Sequence, residues 1–262
     1  MPTPPFTVLD EQELAKLPKA QKPQDMGRMQ NSPESEDYVT WSVLRLLLRR
    51  HTDQWWPAVL RAAHDSGPAL CLVADPNDPP EVVPWHRVPS PDGYEHLSRE
   101  RMIESRDERL MNRAKKAAKV EGCSEIDLVF RGKQYLVFVE AKLHCDVSLE
   151  TTYDPERNQI LRNIDCLLEQ AGSRSPFFWM LVKDRSAIRA YVRILEQYRR
   201  DPVLLYQALP HRDQRLLDQV LRGVALATWA DLLAFLFAQG FSGTEAAVLG
   251  EIARRVTTDV WA

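Results

Sequence analysis

The sequence predicts an α/β protein: a central mixed sheet flanked by helices, with extra helices toward both ends. Three observations predict it. Glu125–Phe130 and Tyr135–Lys142 are apolar runs joined by the polar, Gly-containing turn Arg131-Gly132-Lys133-Gln134, the signature of a β-hairpin. Stretches of strong helix formers at 95–119 and 154–168 bracket that hairpin. Phe177–Val182 is an unbroken apolar run, as expected of a strand covered on both faces.

In chain order, residues 1–36 are rich in Pro, Gln and charge and are expected to form a flexible tail. Residues 37–94 are expected to hold two amphipathic helices, Tyr38–Arg50 and Gln54–His64, and a proline-heavy connector with a short strand at Ala69–Val73. Trp41, Trp55 and Trp56 recur at helical spacing there, which assigns them to core rather than to base stacking. A core region is expected over 95–200. Glu95–Lys119 lacks Gly and Pro, and Ile103, Leu110, Met111 and Ala114 share one arc of a helix. The hairpin follows, with a third strand expected to run from Leu143 to Leu149. Asp154 at an N-cap and Pro155 at the first helical position start the next helix, with Ile160, Ile164, Leu167 and Leu168 as its buried stripe. Phe177–Val182 and a helix over Ser186–Arg200 close the core. Residues 201–262 are expected to be a helical extension, with helices at 211–221, 228–239 and 243–256.

Three charges lie within the hairpin strands: Asp127, Glu140 and Lys142. A carboxylate inside a buried strand needs a counter-ion or a metal. A turn centred on Gly132-Lys133 sets Asp127 opposite Phe138. Side chains alternate faces along a strand, so Asp127, Glu140 and Lys142 then share one face. The two carboxylates are diagonal neighbours, roughly 7–8 Å apart, close enough for one hard divalent ion to bridge. This Asp127, Glu140-x-Lys142 arrangement resembles the PD-(D/E)XK nuclease superfamily, with Ile126 where many members carry proline.

The resemblance implies a restriction-endonuclease-like αβββαβ core. It implies that Asp127 and Glu140, with the Ala141 carbonyl, bind Mg²⁺ or Mn²⁺, and that Lys142 orients or deprotonates the attacking water. A glutamate from the helix before the Asp strand often completes the metal shell, and Glu100 and Glu104 are both candidates. The helix after the lysine often brings a Gln or Arg to the catalytic face; Gln159 fits, with Arg157 and Arg162 assigned to phosphate. The implied activity is metal-dependent phosphodiester hydrolysis, in DNA rather than RNA, in restriction, phage defence or repair. The alternative is an inactive relative that binds nucleic acid or serves as an assembly module. By analogy with restriction-like enzymes, the Trp/Leu helices at 38–64 or the C-terminal helices could form a homodimer interface.

The remaining composition excludes other classes. The chain's 262 residues suffice for a substantial core. Four cysteines without C-x-x-C spacing argue against a zinc ribbon and for a reducing, cytoplasmic setting. No apolar run is long enough to span a membrane. No P-loop or Rossmann fingerprint is present, so no nucleotide cofactor is expected. A net charge of −3 excludes a generally basic coat protein. Local basic runs at 99–119 and 183–200 nevertheless flank the hairpin and are expected to meet phosphates.

Overall fold

The computed structural model describes residues 36–63, 73–151, 154, 156–183, 185–186 and 188–257. The expected strand at 69–73 falls outside these, Val73 apart, as does the expected tail except for Glu36. The described chain opens with α1 (Glu36–Leu48) and α2 (Thr52–Ala62). Trp55 and Trp56 are buried against Phe130 and Trp179, so the tryptophans of α2 are core, as their spacing predicts. That burial takes them out of any dimer interface.

Strand β1 (Glu81–Val88) follows, within the stretch expected to be a connector. Its Pro84 is tolerated because β1 is an edge strand, where a missing N–H breaks no second ladder. The single helix expected over 95–119 is two, α3 (Asp92–Glu104) and α4 (Glu108–Lys116). Between them Arg106 takes a left-handed φ of 57°, and the Asp107 side chain accepts from the N–H groups of Arg109 and Leu110. A residue that prefers to cap has thus won over helix propensity. Ile103, expected on the buried arc, is half exposed.

The hairpin forms as β2 (Ser124–Arg131) and β3 (Tyr135–Lys142), but two places out of the expected register. Val129 faces Phe138 and Arg131 faces Leu136, which centres the turn on Lys133-Gln134. A displacement of two keeps every side chain on its expected face. Asp78 fixes this turn from outside the hairpin, its carboxylate accepting from Lys133 N at 2.7 Å and Gln134 N at 3.0 Å. Gly132 lies so close to the Tyr135 ring that a Cβ there would collide with it.

No strand follows Lys142; residues 143–149 are bends and loop. The third antiparallel strand is instead β1, paired to β2. Next come α5 (Gln159–Ala171), β4 (Ser175–Val182), α6 (Ala190–Arg200), α7 (Pro202–Ala208), α8 (Gln214–Arg222), β5 (Ala225–Thr228), α9 (Trp229–Ala238) and α10 (Gly243–Thr257). Helix α5 starts later than expected because Asn158 is its cap, accepting from Leu161 N, whereas Asp154 is held by Tyr94 and Arg101. Helix α6 starts late as well, since Asp146 accepts from the N–H groups of Ala190 and Tyr191.

The sheet order is β1-β2-β3-β4-β5, antiparallel through β3 and parallel from β3 to β5. One face packs against α1, α2, α9 and α10, the other against α5 to α8. The N-terminal segment and the C-terminal extension, the latter expected to pack on the core, together cover one whole face and supply β1 and β5. Among the described residues no helix is long and apolar enough to cross a membrane.

Candidate active site

The ends of β2 and β3 build a buried polar cluster on an otherwise apolar sheet. Extending the observed register by one residue brings Asp127 level with Glu140, directly opposite rather than diagonal. There the backbone ladder gives way to a side chain: Asp127 Oδ2 accepts from Ala141 N at 2.8 Å. The β1–β2 pairing skips the same level, where Trp85 sits with φ 47° across from Asp127. That conformation is strained for a bulky residue. It coincides with a shift of the alternation in β2, since Ile126 and Val129 reach the α5 face while Leu128 reaches the other.

Glu140 is 2 % exposed and fully engaged. Oε1 accepts from Lys142 Nζ at 2.7 Å and from the Gln159 amide, and Oε2 accepts from Asn163 Nδ2 at 2.7 Å. Gln159 and Asn163 lie one turn apart at the start of α5, so they grip both oxygens from one helix face. Gln159 also accepts from Ser148 N, joining the loop after β3 to the cluster.

Lys142 reaches a second carboxylate that sequence reasoning missed. Glu36, the first residue of α1, accepts from Lys142 Nζ at 3.3 Å through Oε1 and from Leu143 N at 2.9 Å through Oε2. Glu36 and Asp37 are acidic residues that open an amphipathic helix, but nothing local ties that helix end to the hairpin. The helix carboxylate expected from α3 does not arrive there. Glu100 is exposed and pairs with His96, and Glu104 is exposed beside a separate hollow of about 330 Å³ shared with Arg101, Asp154 and Glu156.

The charges are unbalanced. Glu140 and Glu36 pair with the Lys142 ammonium at 2.7 and 3.3 Å, and Asp127 acts on it through space. Burial, then the neighbouring Glu140, push the Asp127 carboxyl well above the usual carboxylate range, against the pull of Ala141 N–H and Lys142. Burial also raises Glu36, with Lys142 opposing. Burial would lower the Lys142 ammonium, but Glu140 and Glu36 together outweigh it and hold its pKa above the ordinary value. Among the described residues no three His, Cys, Asp or Glu side chains stand where they could hold a metal ion.

Of the arginines assigned to phosphate, Arg157 is 1 % exposed. It is bonded to Glu121, lies 3.0 Å from Asp165 in a charge contact, and sits 3.4 Å over the Tyr94 ring. It cannot touch a polyanion. Arg162 is partly exposed and donates to the Gly122 and Cys123 carbonyls. Arg157 sits in a second buried network, in which Asp165 also meets His211 and Arg212 at 2.9 and 2.6 Å. Those partners hold the Asp165 carboxyl below its usual range despite its burial.

No family model matches the chain, and no curated protein or solved structure is similar enough to it to count as a match.

Proposed function

We propose that the cluster at the ends of β2 and β3 is the active site of a metal-dependent nuclease of the PD-(D/E)XK type, acting on DNA. The observation that carries this reading is a lysine, Lys142, paired with two carboxylates, Glu36 and Glu140, with a third, Asp127, close enough to act on it through space, where strand and helix ends meet. With all three ionised, one ammonium leaves a surplus of two negative charges, which one divalent cation would neutralise. The donors are hard oxygens, and Mg²⁺ asks for only one or two carboxylates, with water and phosphate oxygens completing its shell. Asp127 and Glu140 would hold it with the Ala141 carbonyl, while Glu36 would balance charge from its pair with Lys142. The element order gives partial support: α1 and α2 precede β1, helices α3 and α4 are inserted before the antiparallel β2–β3 pair, and α5 crosses over to the parallel strand β4.

Bound there, the metal would lower the pKa of a water and offset charge developing on the phosphate. Glu140 and Glu36 favour the charged form of Lys142, which supports a donating role for it: it would orient the nucleophile and stabilise a phosphate oxygen. Gln159 and Asn163 fix the Glu140 carboxylate, and Gln159 ties the 143–151 loop to it.

The test is cleavage of supercoiled plasmid and of single-stranded DNA by the whole protein, in Mg²⁺, Mn²⁺ or EDTA. Cleavage that needs metal and vanishes in Asp127→Ala and Lys142→Ala is expected. Metal-dependent cleavage that survives both substitutions would end this assignment. Folded protein that cuts neither substrate would favour an inactive member of the fold.

A further inference from the structure

Residues 89–123 form an arm, and the topology places it. Val88 ends β1 opposite Ser124, which begins β2, and the antiparallel β2–β3 pair sets that beginning beside the end of β3. The arm therefore leaves and re-enters the sheet at the edge where Asp127, Glu140 and Lys142 lie. Its neck is closed by Ser90 Oγ donating to Glu121 at 3.0 Å. Tyr94 and Arg101 tie it to Asp154, in the segment that leads from Lys142 to Gln159.

The outer half of the arm is locally basic. Arg109 to Lys119 holds five basic residues and no acidic one, in a protein of net charge −3. Arg113 is used internally, donating to the Val120 carbonyl at 2.7 Å. Arg109, Lys115, Lys116 and Lys119 are exposed, Lys119 in an ion pair with Asp92 at 3.4 Å. Their backbone is braced from α3, since Arg99 donates to the carbonyls of Ala114, Ala117 and Ala118. That bracing holds the end of α4 and the following turn, where three of the four cations sit. Helix α4 is about 13 Å long, the rise of roughly four base-pair steps at ~3.4 Å each.

We propose that the outer face of α4 and the turn after it is a phosphate-backbone clamp for duplex DNA, holding the duplex to one side of the bond to be cut. The proposal rests on the nuclease reading above and names its substrate as double-stranded. Single-strand binding depends on aromatic rings that stack bases, and residues 105–119 contain none. Ion pairing with phosphate needs no sequence information and suits a flank held away from the reaction. The positive arm also answers an electrostatic need, since a polyanion must be brought to an edge lined by carboxylates.

The test uses the full chain and Lys115→Gln/Lys116→Gln, whose melting temperature should match the parent because both side chains lie in solvent. Binding of a short duplex of arbitrary sequence is followed by fluorescence anisotropy in EDTA across a salt series. The double variant is expected to bind about tenfold more weakly, with the slope of log K against log salt reduced by about 1.8, ~0.9 for each lost phosphate contact. Single-stranded DNA of the same length should show a smaller loss. Unchanged duplex affinity and slope would overturn the clamp, as would an equal loss on single strands. Metal-dependent hydrolysis of a small aryl phosphodiester, which cannot reach the arm, reports on the active site separately. A slope change without any hydrolysis by the parent would retain the clamp and discard the nuclease; normal hydrolysis with an unchanged slope would do the reverse.

Discussion

Replacing Lys142 with methionine tests the cluster without relying on activity. The side chain is 8 % exposed, and its ammonium lies 2.7 Å from Glu140 and 3.3 Å from Glu36. Methionine keeps most of the volume and removes the only cation among three carboxylates. Breaking a buried ion pair by deleting one partner costs about 3–5 kcal/mol. At ~2–4 °C per kcal/mol for a chain of this size, the melting temperature should fall by about 6–20 °C. The loss should depend on pH, with a definite sign. Asp127 and Glu36 are raised even with Lys142 present, and removing it lifts them further. A group whose folded pKa lies above its unfolded value adds stability below the unfolded pKa and loses it as pH rises through the folded one. The deficit of Lys142→Met should therefore be small near pH 4, where these carboxyls are protonated, and full at pH 8. Thermal melts in EDTA across that range measure it, and Lys142→Arg, which keeps the charge, should recover part. A variant that melts with the parent at pH 8, or a deficit that ignores pH, would refute the description of this site as a buried anionic cluster held by one lysine.

Asp127→Asn keeps an acceptor for Ala141 N–H and removes a buried carboxyl. In EDTA at pH 8 it should melt higher than the parent, and added Mg²⁺ should no longer raise the melting point; a lower melting point would count against charge repulsion here. Asn163→Ala leaves Glu140 Oε2 buried without its donor, so urea unfolding should show a loss of about 1–3 kcal/mol. Asn163→Asp should lose more, by placing a fourth carboxylate there. Arg157→Met should cost about 3–5 kcal/mol in the same assay by removing the buried cation that Glu121 and Asp165 share, yet leave DNA affinity unchanged.

The hairpin and its buried strands were legible because their apolar runs survive a register displacement of two, whereas the shift of alternation at Asp127 was not. The register itself was not, because the turn is set by Asp78, far from it in sequence, accepting from Lys133 and Gln134. Strand β1 was hidden by Pro84 and by surrounding prolines, which read as connector unless the strand is known to be an edge. Gln159 and Asn163 both bond Glu140, and the i,i+4 spacing that lets one helix face carry both is visible in the sequence while their partner is not. Glu36 could not be found locally: only folding brings α1 over the end of β3. Arg157 misled because a sequence shows charge and not burial; the acids that neutralise it, Glu121 and Asp165, come from either side of it in the chain.

The peptide unit between Lys142 and Leu143 is held at both polar ends. Glu36 accepts from its N–H, and Trp229 Nε1 donates to its carbonyl at 3.2 Å. One clasp comes from the first described helix and the other from the helix that follows the last strand. During synthesis the nascent chain therefore carries Asp127, Glu140 and Lys142 well before it can lock them in place, since residue 229 must first clear the ribosome. A proteolytic nick that released either flanking helix would undo the same lock. The finished cluster thus serves as a record of an intact chain, and partial products would lack the arrangement we assign to cutting DNA.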